Sequence, residues 1–409
     1  MSDTFSLERT AVIVSAARTP IGRFLGGLSP LSAPDLGAVA IRAAVERAGI
    51  DAAALQEVIM GNVVQGGVGQ APARQAALKG GVPPTVSAVT VNKVCGSGLK
   101  AVMLAAQAIR AGDAQLLLAG GQESMSNAPF YLYGARNGYK LGDQTLVDGV
   151  IRDGLWCGVC DVHMGGHAEY TARKAKVTRV TQDEFALQSH RKAVAAMDAG
   201  KFTGEIVPVE VPGRKGPTVI AADEGPRRDA SAEGLAKLKP AFAADAPKDM
   251  QAGDLTVTAG NASSLNDGAA ALVVASEAYA RAHGLPILAR ITAYATGAVA
   301  PQDLFFAPVT AVRNLMRKEG RTIRDYDLIE ANEAFASQAL ADGNALEWDW
   351  DRVNVHGGAI ALGHPIGAGG ARVLTTLLYA MRDRGARTGL ATLCLGGGDA
   401  VALSVERVA

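Results

Sequence analysis

Two stretches of the sequence share one order of glycines, apolar residues and polar residues. They are "GSGLKAVMLAAQAIRAGDAQLLLAGG" (96–121) and "GGARVLTTLLYAMRDRGARTGLATLCLGGG" (369–398), and Gly98 aligns with Gly370 at an offset of 272 residues. Each stretch predicts a helix with one apolar face, then a fully apolar strand of the kind that is buried inside a sheet. A chain that contains two copies of one such unit is restricted to folds with two related α/β halves.

The rest of the chain alternates strands and helices around these copies. The pattern predicts strands at 10–16, 57–63, 87–92, 114–121 and 352–358, helices at 34–49, 71–80, 98–111 and 369–385, and a strand, turn and strand over 388–406. Gly112 is expected to end the helix of the first copy. The alternation is typical of an α/β fold with helices on both faces of the sheet.

A change of amino-acid composition between the two copies suggests the domain organisation. Residues 122–255 hold most of the Pro-Gly turns, the single C-x-x-C and an acidic, alanine-rich run. We expect this stretch to be an inserted loop domain that carries substrate contacts. The predicted division is an N-terminal half over 1–121, completed by about 256–279, the insertion over 122–255, and a C-terminal half over 280–409.

The charge balance and the cysteine count exclude several functional classes. Lys plus Arg and Asp plus Glu both number 40, so a nucleic acid or an anionic membrane surface is not expected as a partner. No segment reaches the roughly 18 uninterrupted apolar residues of a membrane span, and the first residues do not form a secretory signal. Four cysteines in 409 residues are too few for a disulfide scaffold, so a cytoplasmic location is predicted.

Cys95 stands in "VNKVCGSGLKAV", just before the predicted helix of the first copy. Unpaired backbone N–H groups and the positive end of the helix dipole favour an anion there, which predicts a lowered thiol pKa. Gly96 and Gly98 are expected to leave the sulfur open to a ligand. A nucleophile and a small buried residue are the two interpretations of this cysteine.

The second copy contains further candidates for chemistry. His364, in "GGAIALGHPIGAGGAR", falls at the position equivalent to Cys95, where an imidazole could activate a thiol. Cys394, in "LCLGGG", ends the apolar strand and could equally be a core residue. Asn332, in "EANEAFA", could hold a water or a carbonyl oxygen, or could simply cap a helix.

These stretches together resemble the thiolase family, in its short-chain, acetoacetyl-CoA branch. The resemblance covers nearly the whole chain and includes "ARTPIGRF" (17–24), "HMGGHAEYTA" (163–172) and "TAGNASSLNDGAAA" (258–271). It implies duplicated α/β halves in a five-layer α-β-α-β-α arrangement with an inserted loop domain. It also implies reversible conversion of two acetyl-CoA molecules to acetoacetyl-CoA and CoA, with CoA thioesters as substrates and no tightly bound cofactor.

The resemblance also implies roles for individual residues. The residue matching Cys95 carries the acyl group as a thioester, the one matching His364 takes the thiol proton, and the one matching Cys394 moves a proton at the α-carbon of the second substrate. The enolate oxygen is expected to meet His364 and a water held by Asn332. The tetrahedral oxyanion is expected to meet the backbone N–H groups of Cys95 and Gly396.

Coenzyme A contacts are implied by the same resemblance. They fall on His163 and Met164 for the pantetheine and acyl pocket, Ala259 and Ser263 for the pantetheine, Arg227 for the nucleotide, and Phe335 for the acyl pocket. Family members are dimers or larger, and residues 130–148 resemble the hairpin that joins two dimers, so a homotetramer is predicted.

The sequence leaves open the acyl-chain preference, the choice between an enzyme and a silent binding protein, and the role of two cysteines. Leu304, Phe305 and Phe306 differ from the short-chain pattern, so a degradative enzyme for longer or 2-methyl-branched 3-ketoacyl-CoA is an alternative, and a silent acyl-CoA binding protein is a more distant one. Cys157 and Cys160 form one C-x-x-C without a second ligand pair, so they are interpreted as unrelated thiols. No metal site is predicted.

Overall fold

The computed structural model describes residues 6–408, which contain sixteen strands and eleven α-helices. The strands are β1 Ala11–Arg18, β2 Gly22–Arg23, β3 Glu57–Gly61, β4 Ser87–Val91, β5 Leu116–Ser124, β6 Phe130–Tyr131, β7 Val147–Asp148, β8 Trp156–Cys157, β9 Val162–His163, β10 Val209–Val211, β11 Thr218–Ile220, β12 Asn266–Ser276, β13 Ala289–Ala298, β14 Leu328–Ala331, β15 Thr388–Leu395 and β16 Asp399–Glu406. The helices are α1 Ala33–Ala48, α2 Pro72–Lys79, α3 Ser97–Ala111, α4 Met164–Ala175, α5 Arg179–Asp198, α6 Ala232–Ala236, α7 Glu277–Ala282, α8 Ala307–Glu319, α9 Ala336–Leu346, α10 Ala359–Leu362 and α11 Ile366–Arg384.

The main sheet has ten strands and joins the two halves of the chain. Its order is β14-β15-β16-β13-β1-β12-β5-β3-β4, with β2 paired to β12. The halves meet where β1 pairs with β13 through only two residue pairs, Val12 with Arg290 and Ile13 with Ala289. Within each half, parallel pairs (β3 with β4 and β5, β14 with β15) adjoin antiparallel ones. Each half is therefore a mixed sheet of similar design.

The helices form layers around the two halves of the sheet. Helices α1 and α2 pack against the strands of the N-terminal half, and α8 packs against β13, β15 and β16 of the C-terminal half. Helices α3 and α11 pack against each other and contact strands of both halves. This is the predicted α-β-α-β-α arrangement, and its central helix pair comes from the two copies of the repeat.

Local sequence determines where these helices begin and end. Helix α1 starts with a capping box, in which Ser32 and Asp35 each bond the backbone of the other, and it ends at Gly49 with φ 68°. Gly112, with φ 85°, ends α3 as predicted. Helix α11 is buried along most of its length, beyond the one apolar face that the sequence predicts, because it contacts α3 and strands of both halves.

The predicted strand at 352–358 is wrong. Only Val353 makes an isolated parallel bridge there, to Ile329 of β14. Asn354 has φ 45°, and its side chain bonds the backbone N–H and the carbonyl of Ala331 at 2.9 Å each. Because the side chain takes the place of a ladder partner, the segment becomes a turn. Gly357, with φ 80°, continues that turn.

The segment between β5 and β12 is tied to the sheet by a buried ionic cluster. Arg18, at the end of β1, is fully buried; its Nε donates to Glu205 at 2.7 Å and its two terminal nitrogens donate to Asp223 at 2.7 and 2.9 Å. Removing one partner of such a pair would leave an uncompensated buried charge. Strand β12 then returns the chain to the sheet between β1 and β5. Among the described residues no helix is long and apolar enough to cross a membrane.

Candidate active site

Cys95 and His364 occupy equivalent positions in the two copies of the repeat. Cys95 lies two residues before Ser97, the first residue of α3, and His364 lies two residues before Ile366, the first residue of α11. Since α3 and α11 pack against each other, both side chains reach one cavity at the starts of the central helices. The repeat is thus what brings a thiol and an imidazole from distant parts of the chain to one place.

That cavity has a volume of about 430 Å³ and is lined by most of the predicted site residues. These are Cys95, His163, Met164, Ala259, Ser263, Phe335, His364, Cys394 and Gly396. Residues from both halves of the sheet and from the segment between β5 and β12 therefore contribute to it. Asn332 lies beside His364, and Arg227 lies in a neighbouring cavity.

The neighbouring cavity has a volume of about 600 Å³, and its wall is shared in part with the first. Phe24, Ala259, Ala262, Ser264 and Leu265 line both. The second cavity is also lined by Arg23 and Arg227, and the described residues provide no salt bridge for either guanidinium. The two cavities adjoin each other. The guanidinium groups of Arg23 and Arg227 lie in the second cavity, and the thiols of Cys95 and Cys394 lie in the first.

Asn332 contacts the imidazole and does not cap a helix. It follows the last residue of β14, and its Nδ2 lies 3.4 Å from Nε2 of His364. The N-cap residue of α9 is Phe335, so the capping interpretation is wrong. The side chain is 1% exposed, and within residues 6–408 its Oδ1 has no hydrogen-bond partner. An amide held in this way is available to a ligand or a water.

The imidazole of His364 is held neutral. Burial lowers its pKa to about 3, and the positive charge of Arg372 acts in the same direction. The backbone N–H of His364 donates to Oδ1 of Asn266 at 2.8 Å, which fixes the turn before α11. A β-carbon at Gly369 would lie 2.7 Å from the ring, so only glycine allows the ring to lie over the first turn of this helix. A neutral imidazole can accept a proton.

The predicted lowering of the Cys95 pKa is wrong. Burial of the thiol raises its pKa to about 12. The N–H groups of Cys95 itself and of Gly396 oppose this by bonding the sulfur, while the nearby carboxyl of Glu123 adds to it. Desolvation outweighs the helix terminus because the thiol lies in an enclosed and largely apolar cavity. Thiol and imidazole are therefore both neutral in the free protein.

Gly96 and Gly98 have a different role from the predicted one. A β-carbon at Gly96 would lie 2.6 Å from the side chain of Leu395, and one at Gly98 would lie 2.7 Å from the backbone nitrogen of Ala371. These glycines allow α3 to approach β15 and α11, and they do not open a path to the sulfur. A β-carbon at Gly370 would likewise lie 2.4 Å from the backbone of Leu99, so both copies contribute a glycine to the contact.

Cys394 is in the cavity wall and also belongs to the core. It is 1% exposed on β15, and burial raises its pKa well above the ordinary value, with Cys95 and Asp342 adding to the rise. Its apolar neighbours include Leu304, Phe305 and Phe335. The interpretation as a core residue is therefore confirmed, and the same residue also lines the cavity.

The aromatic residues form one side of the cavity. Phe305 is 2% exposed and meets Phe335 edge to face, with ring centroids 5.3 Å apart. Phe306 is outside the set of described lining residues; its ring lies under the ammonium of Lys174 at 5.2 Å. Of the two phenylalanines that the sequence left open, only Phe305 is among the described residues that line this cavity.

His163 and Met164 enter the site from the start of α4. His163 is the N-cap residue, and its Nδ1 accepts a bond from the N–H of Gly165 at 3.0 Å. Its ring stacks on Phe242 with centroids 5.1 Å apart, and burial lowers its pKa. Cap and stacking therefore fix the ring of His163.

Glu123 was missed by the sequence analysis. It lies on β5 and accepts bonds from Asn62 Nδ2 at 2.6 Å and from the N–H groups of Val63, Val64 and Gly367. Burial nevertheless raises its pKa to about 7. Its position in "GGQES", just past the apolar strand of the first copy, is the only signal that could have identified it.

Comparison with known proteins agrees with this geometry. Residues 11–278 match the family description "Thiolase, N-terminal domain", and residues 285–407 match "Thiolase, C-terminal domain". The chain belongs to the thiolase family. The first match ends within α7 and the second begins between α7 and β13. Helix α3 belongs to the first domain and α11 to the second, so the cavity at their starts is built from both.

Individual thiolases are similar over almost the full chain. The acetyl-CoA acetyltransferase of Pseudomonas aeruginosa is 55% identical over 397 residues, which cover 97% of this chain and 99% of that protein. An acetyl-CoA acetyltransferase of Escherichia coli is 55% identical over 401 residues, 98% of this chain and 100% of its own. The crystal structure of the Bacillus anthracis acetyl-CoA acetyltransferase superposes with a TM-score of 0.93 at 41% identity, covering 98% and 99%.

Proposed function

We propose that this thiolase is an acetyl-CoA C-acetyltransferase, which reversibly condenses two acetyl-CoA molecules to acetoacetyl-CoA and CoA. The observation that carries the proposal is the meeting of Cys95, His364 and Cys394 in one cavity of about 430 Å³. The names of relatives at 55% identity support the same reaction. A Claisen condensation needs a nucleophile to hold one acetyl group and a base to form a carbanion from the other.

In the first half-reaction, Cys95 attacks the thioester carbonyl of acetyl-CoA. Its proton passes to His364, which is neutral and able to accept it, and then to the departing CoA thiolate. The N–H groups of Cys95 and Gly396 already bond the sulfur, so an oxyanion on the carbon that joins this sulfur would form within their reach. The high thiol pKa implies that proton transfer accompanies attack and does not precede it.

In the second half-reaction, Cys394 acts as its thiolate and removes a proton from the methyl group of the second acetyl-CoA. The resulting enolate oxygen is stabilised by His364 and by a water that Asn332 holds, and the carbanion attacks the acetyl group on Cys95. The Cys95 thiolate leaves as acetoacetyl-CoA is released, and it takes the proton that Cys394 holds, which restores the Cys394 thiolate. Burial raises the pKa of Cys394, as suits a base that must compete for a carbon-bound proton.

Coenzyme A is proposed to lie across the two cavities. The pantetheine passes Ala259, which lines both, and Ser263 in the inner one, while His163, Met164 and Phe335 surround the acyl end. Arg227, in the outer cavity, faces the nucleotide phosphates. Phe305 closes the acyl pocket at its contact with Phe335, which favours a short acyl chain over the longer or branched substrates of a degradative enzyme.

The functional test is trapping of the acyl-enzyme together with a substrate series. Incubation with acetyl-CoA should add one acetyl group to Cys95 by peptide mass spectrometry, and Cys95→Ser should abolish turnover. Thiolysis of acetoacetyl-CoA should exceed that of 2-methylacetoacetyl- and 3-ketooctanoyl-CoA. A faster rate with the eight-carbon substrate would assign the degradative function, and CoA binding without thiolysis would indicate a silent binding protein.

We also propose that the protein is a homotetramer, a dimer of dimers. Strands β6 and β7 form an antiparallel hairpin whose side chains Phe130, Tyr133, Leu141 and Leu146 are exposed. Apolar side chains grouped on a hairpin are typical of an interaction surface, and their exposure speaks against ordinary loop packing. Light scattering should give four chains for the native protein and two for Leu141→Asp combined with Phe130→Asp.

A further inference from the structure

Cys157, Cys160 and His167 form a cluster outside the catalytic cavity. The two sulfurs and one ring nitrogen lie within 4.8 Å of one another. The backbone N–H of Cys160 donates to Sγ of Cys157 at 3.3 Å, so the two residues that the sequence left as unrelated thiols lie side by side. Cys157 and His167 are buried, and Cys160 is exposed. Two thiols and an imidazole at this separation are a set of ligands that suits a soft transition metal.

The fold brings these residues together through a short hairpin. Cys157 ends β8 and pairs with Val162 of β9, and β9 leads directly into α4, on which His167 lies. The intervening turn closes with Asp161 at φ 53°, whose N–H donates to the carbonyl of Cys157 at 2.8 Å. This turn places Cys160 beside Cys157, and the first turn of the helix places His167 against both.

The state of the imidazole gives an independent indication of a ligand. His167 is 2% exposed, and its Nδ1 lies 3.4 Å from the backbone carbonyl of Gln302. In the part of the chain that the structure describes, its Nε2 has no hydrogen-bond partner. Donation from Nδ1 to a carbonyl leaves the lone pair on Nε2, and metal-bound histidines are usually oriented by such a bond. A buried nitrogen without a partner is costly unless it binds something.

We propose that Cys157, Cys160 and His167 bind one zinc ion, with a solvent molecule as the fourth ligand. Zinc prefers four tetrahedral sulfur and nitrogen ligands, which lie roughly 3.6–3.8 Å apart at ordinary bond lengths. In the protein these ligand atoms lie within 4.8 Å of one another, and the exposed turn that carries Cys160 can adjust to bring them to bonding distance of one ion. Two thiolates and a divalent ion are neutral together, which suits a half-buried position. The exposed side of Cys160 leaves room for the solvent ligand.

The zinc would act on the substrate cavity through two of its walls. His163 and Met164 lie between the ligands Cys160 and His167 in the sequence, and both line the cavity. Gln302, whose carbonyl lies 3.4 Å from Nδ1 of His167, precedes Leu304 and Phe305, which also line the cavity and form a cluster against which Met164 packs. The ion would therefore fix the start of α4 relative to the segment that contains Gln302, Leu304 and Phe305. This role is structural, and the zinc site itself does not depend on the proposed acetyltransferase activity.

Metal content is the first test. The full-length protein is purified without an affinity tag, in the presence of a reductant, and is dialysed against metal-free buffer. It should retain about one zinc per chain, as measured by inductively coupled plasma mass spectrometry. Cys160→Ser and His167→Ala should lose it, while Cys95→Ser and His283→Ala should keep it, since those residues lie elsewhere. Cys160 is exposed, so its variant is expected to fold, which far-ultraviolet circular dichroism checks.

The identity of the ligands is tested with cobalt. After zinc is removed with a chelator, added Co²⁺ should produce the thiolate-to-cobalt band and the intense visible bands of a tetrahedral site, and these should be absent in Cys157→Ser. Zinc loading should raise the thermal midpoint of the wild type and leave that of Cys160→Ser unchanged. Removal of zinc should raise KM for acetoacetyl-CoA more than it lowers kcat.

Three results would overturn the proposal. One is less than about 0.1 zinc per chain after incubation with equimolar zinc chloride. Another is a zinc content that Cys160→Ser and His167→Ala do not change, which would indicate binding elsewhere. The third is a Cys157–Cys160 disulfide in zinc-free protein that the reductant does not cleave. The two cysteines would then form a structural disulfide and not a metal site. Because these readouts do not use turnover, they are separate from a failure of the catalytic proposal.

Discussion

Nδ2 of Asn332 lies 3.4 Å from Nε2 of His364, so an amide from β14 meets the imidazole that precedes α11. The amide is buried, and its oxygen has no partner within the described chain. This contact joins the two stretches of the C-terminal domain that we propose for the enolate step. The contact does not involve Cys95. The effect of changing Asn332 can therefore be distinguished from an effect on acyl transfer to Cys95.

Asn332→Ala should therefore lower the rate of condensation and of thiolysis by about 10²- to 10³-fold, the usual effect of removing one oxyanion donor. Exchange of labelled CoA with acetyl-CoA uses only the acyl-enzyme and should change little. Both rates can be measured on the same preparation. Equal loss of exchange and condensation would contradict the assignment of Asn332 to the enolate step.

The sequence predicted the convergence of Cys95 and His364 because both precede helices of the same repeat. The helical periodicity and the glycines that mark it are local properties, so they are visible without a structure. The five layers, by contrast, were implied by the resemblance to a family and not by these local properties. Asn332 was placed near its partner only through the resemblance to a family.

What the sequence did not predict depends on contacts between distant residues. The pKa of Cys95 rises because β15 and the loop before α4 enclose it, and no local pattern reports that enclosure. The contacts of Gly96 and Gly98 are likewise with residues that are distant in the sequence, Leu395 and Ala371. His167 lies beside the C-x-x-C only because the β8–β9 hairpin brings α4 there. The sequence around His167 is that of an ordinary helix and gives no sign of this contact.

The ionisation state of the site predicts how Cys95 reacts with iodoacetamide. Since burial raises the thiol pKa to about 12, the thiolate fraction should rise about tenfold per pH unit throughout the stable range. His364, with a pKa of about 3, stays neutral over that range and contributes no inflection. Peptide mass spectrometry separates Cys95 from the exposed Cys160. A plateau beginning near pH 6 or 7 would instead indicate a thiolate–imidazolium pair.

The packing of the central helices predicts that Gly370→Ala destabilises the protein. An exchange of glycine for alanine inside a helix ordinarily stabilises it by about 0.5–1 kcal/mol. At this position the new β-carbon would lie 2.4 Å from the backbone nitrogen of Leu99, and backbone cannot move aside cheaply. We expect a net loss of about 1–3 kcal/mol, seen as a lower midpoint in urea unfolding.

Gly253→Ala is the matched control for this substitution. No atom lies within 4 Å of a β-carbon built at Gly253, and its φ is not in the left-handed region. Its unfolding midpoint should equal or slightly exceed that of the wild type. If Gly370→Ala behaves in the same way, α3 and α11 are less closely packed than the structure indicates.

Phe305 predicts the limit on acyl chain length. Its ring closes the pocket at the edge-to-face contact with Phe335, so Phe305→Ala should open space for additional methylene groups. Each methylene accommodated is worth about 1–3 kcal/mol, which corresponds to a 10- to 200-fold gain in relative kcat/KM for a six-carbon over a four-carbon 3-ketoacyl-CoA. Phe306→Ala provides the matched control, because that ring lies under Lys174 and should leave the profile unchanged. A profile that Phe305→Ala does not shift would place the chain-length limit on the Met164 side of the cavity.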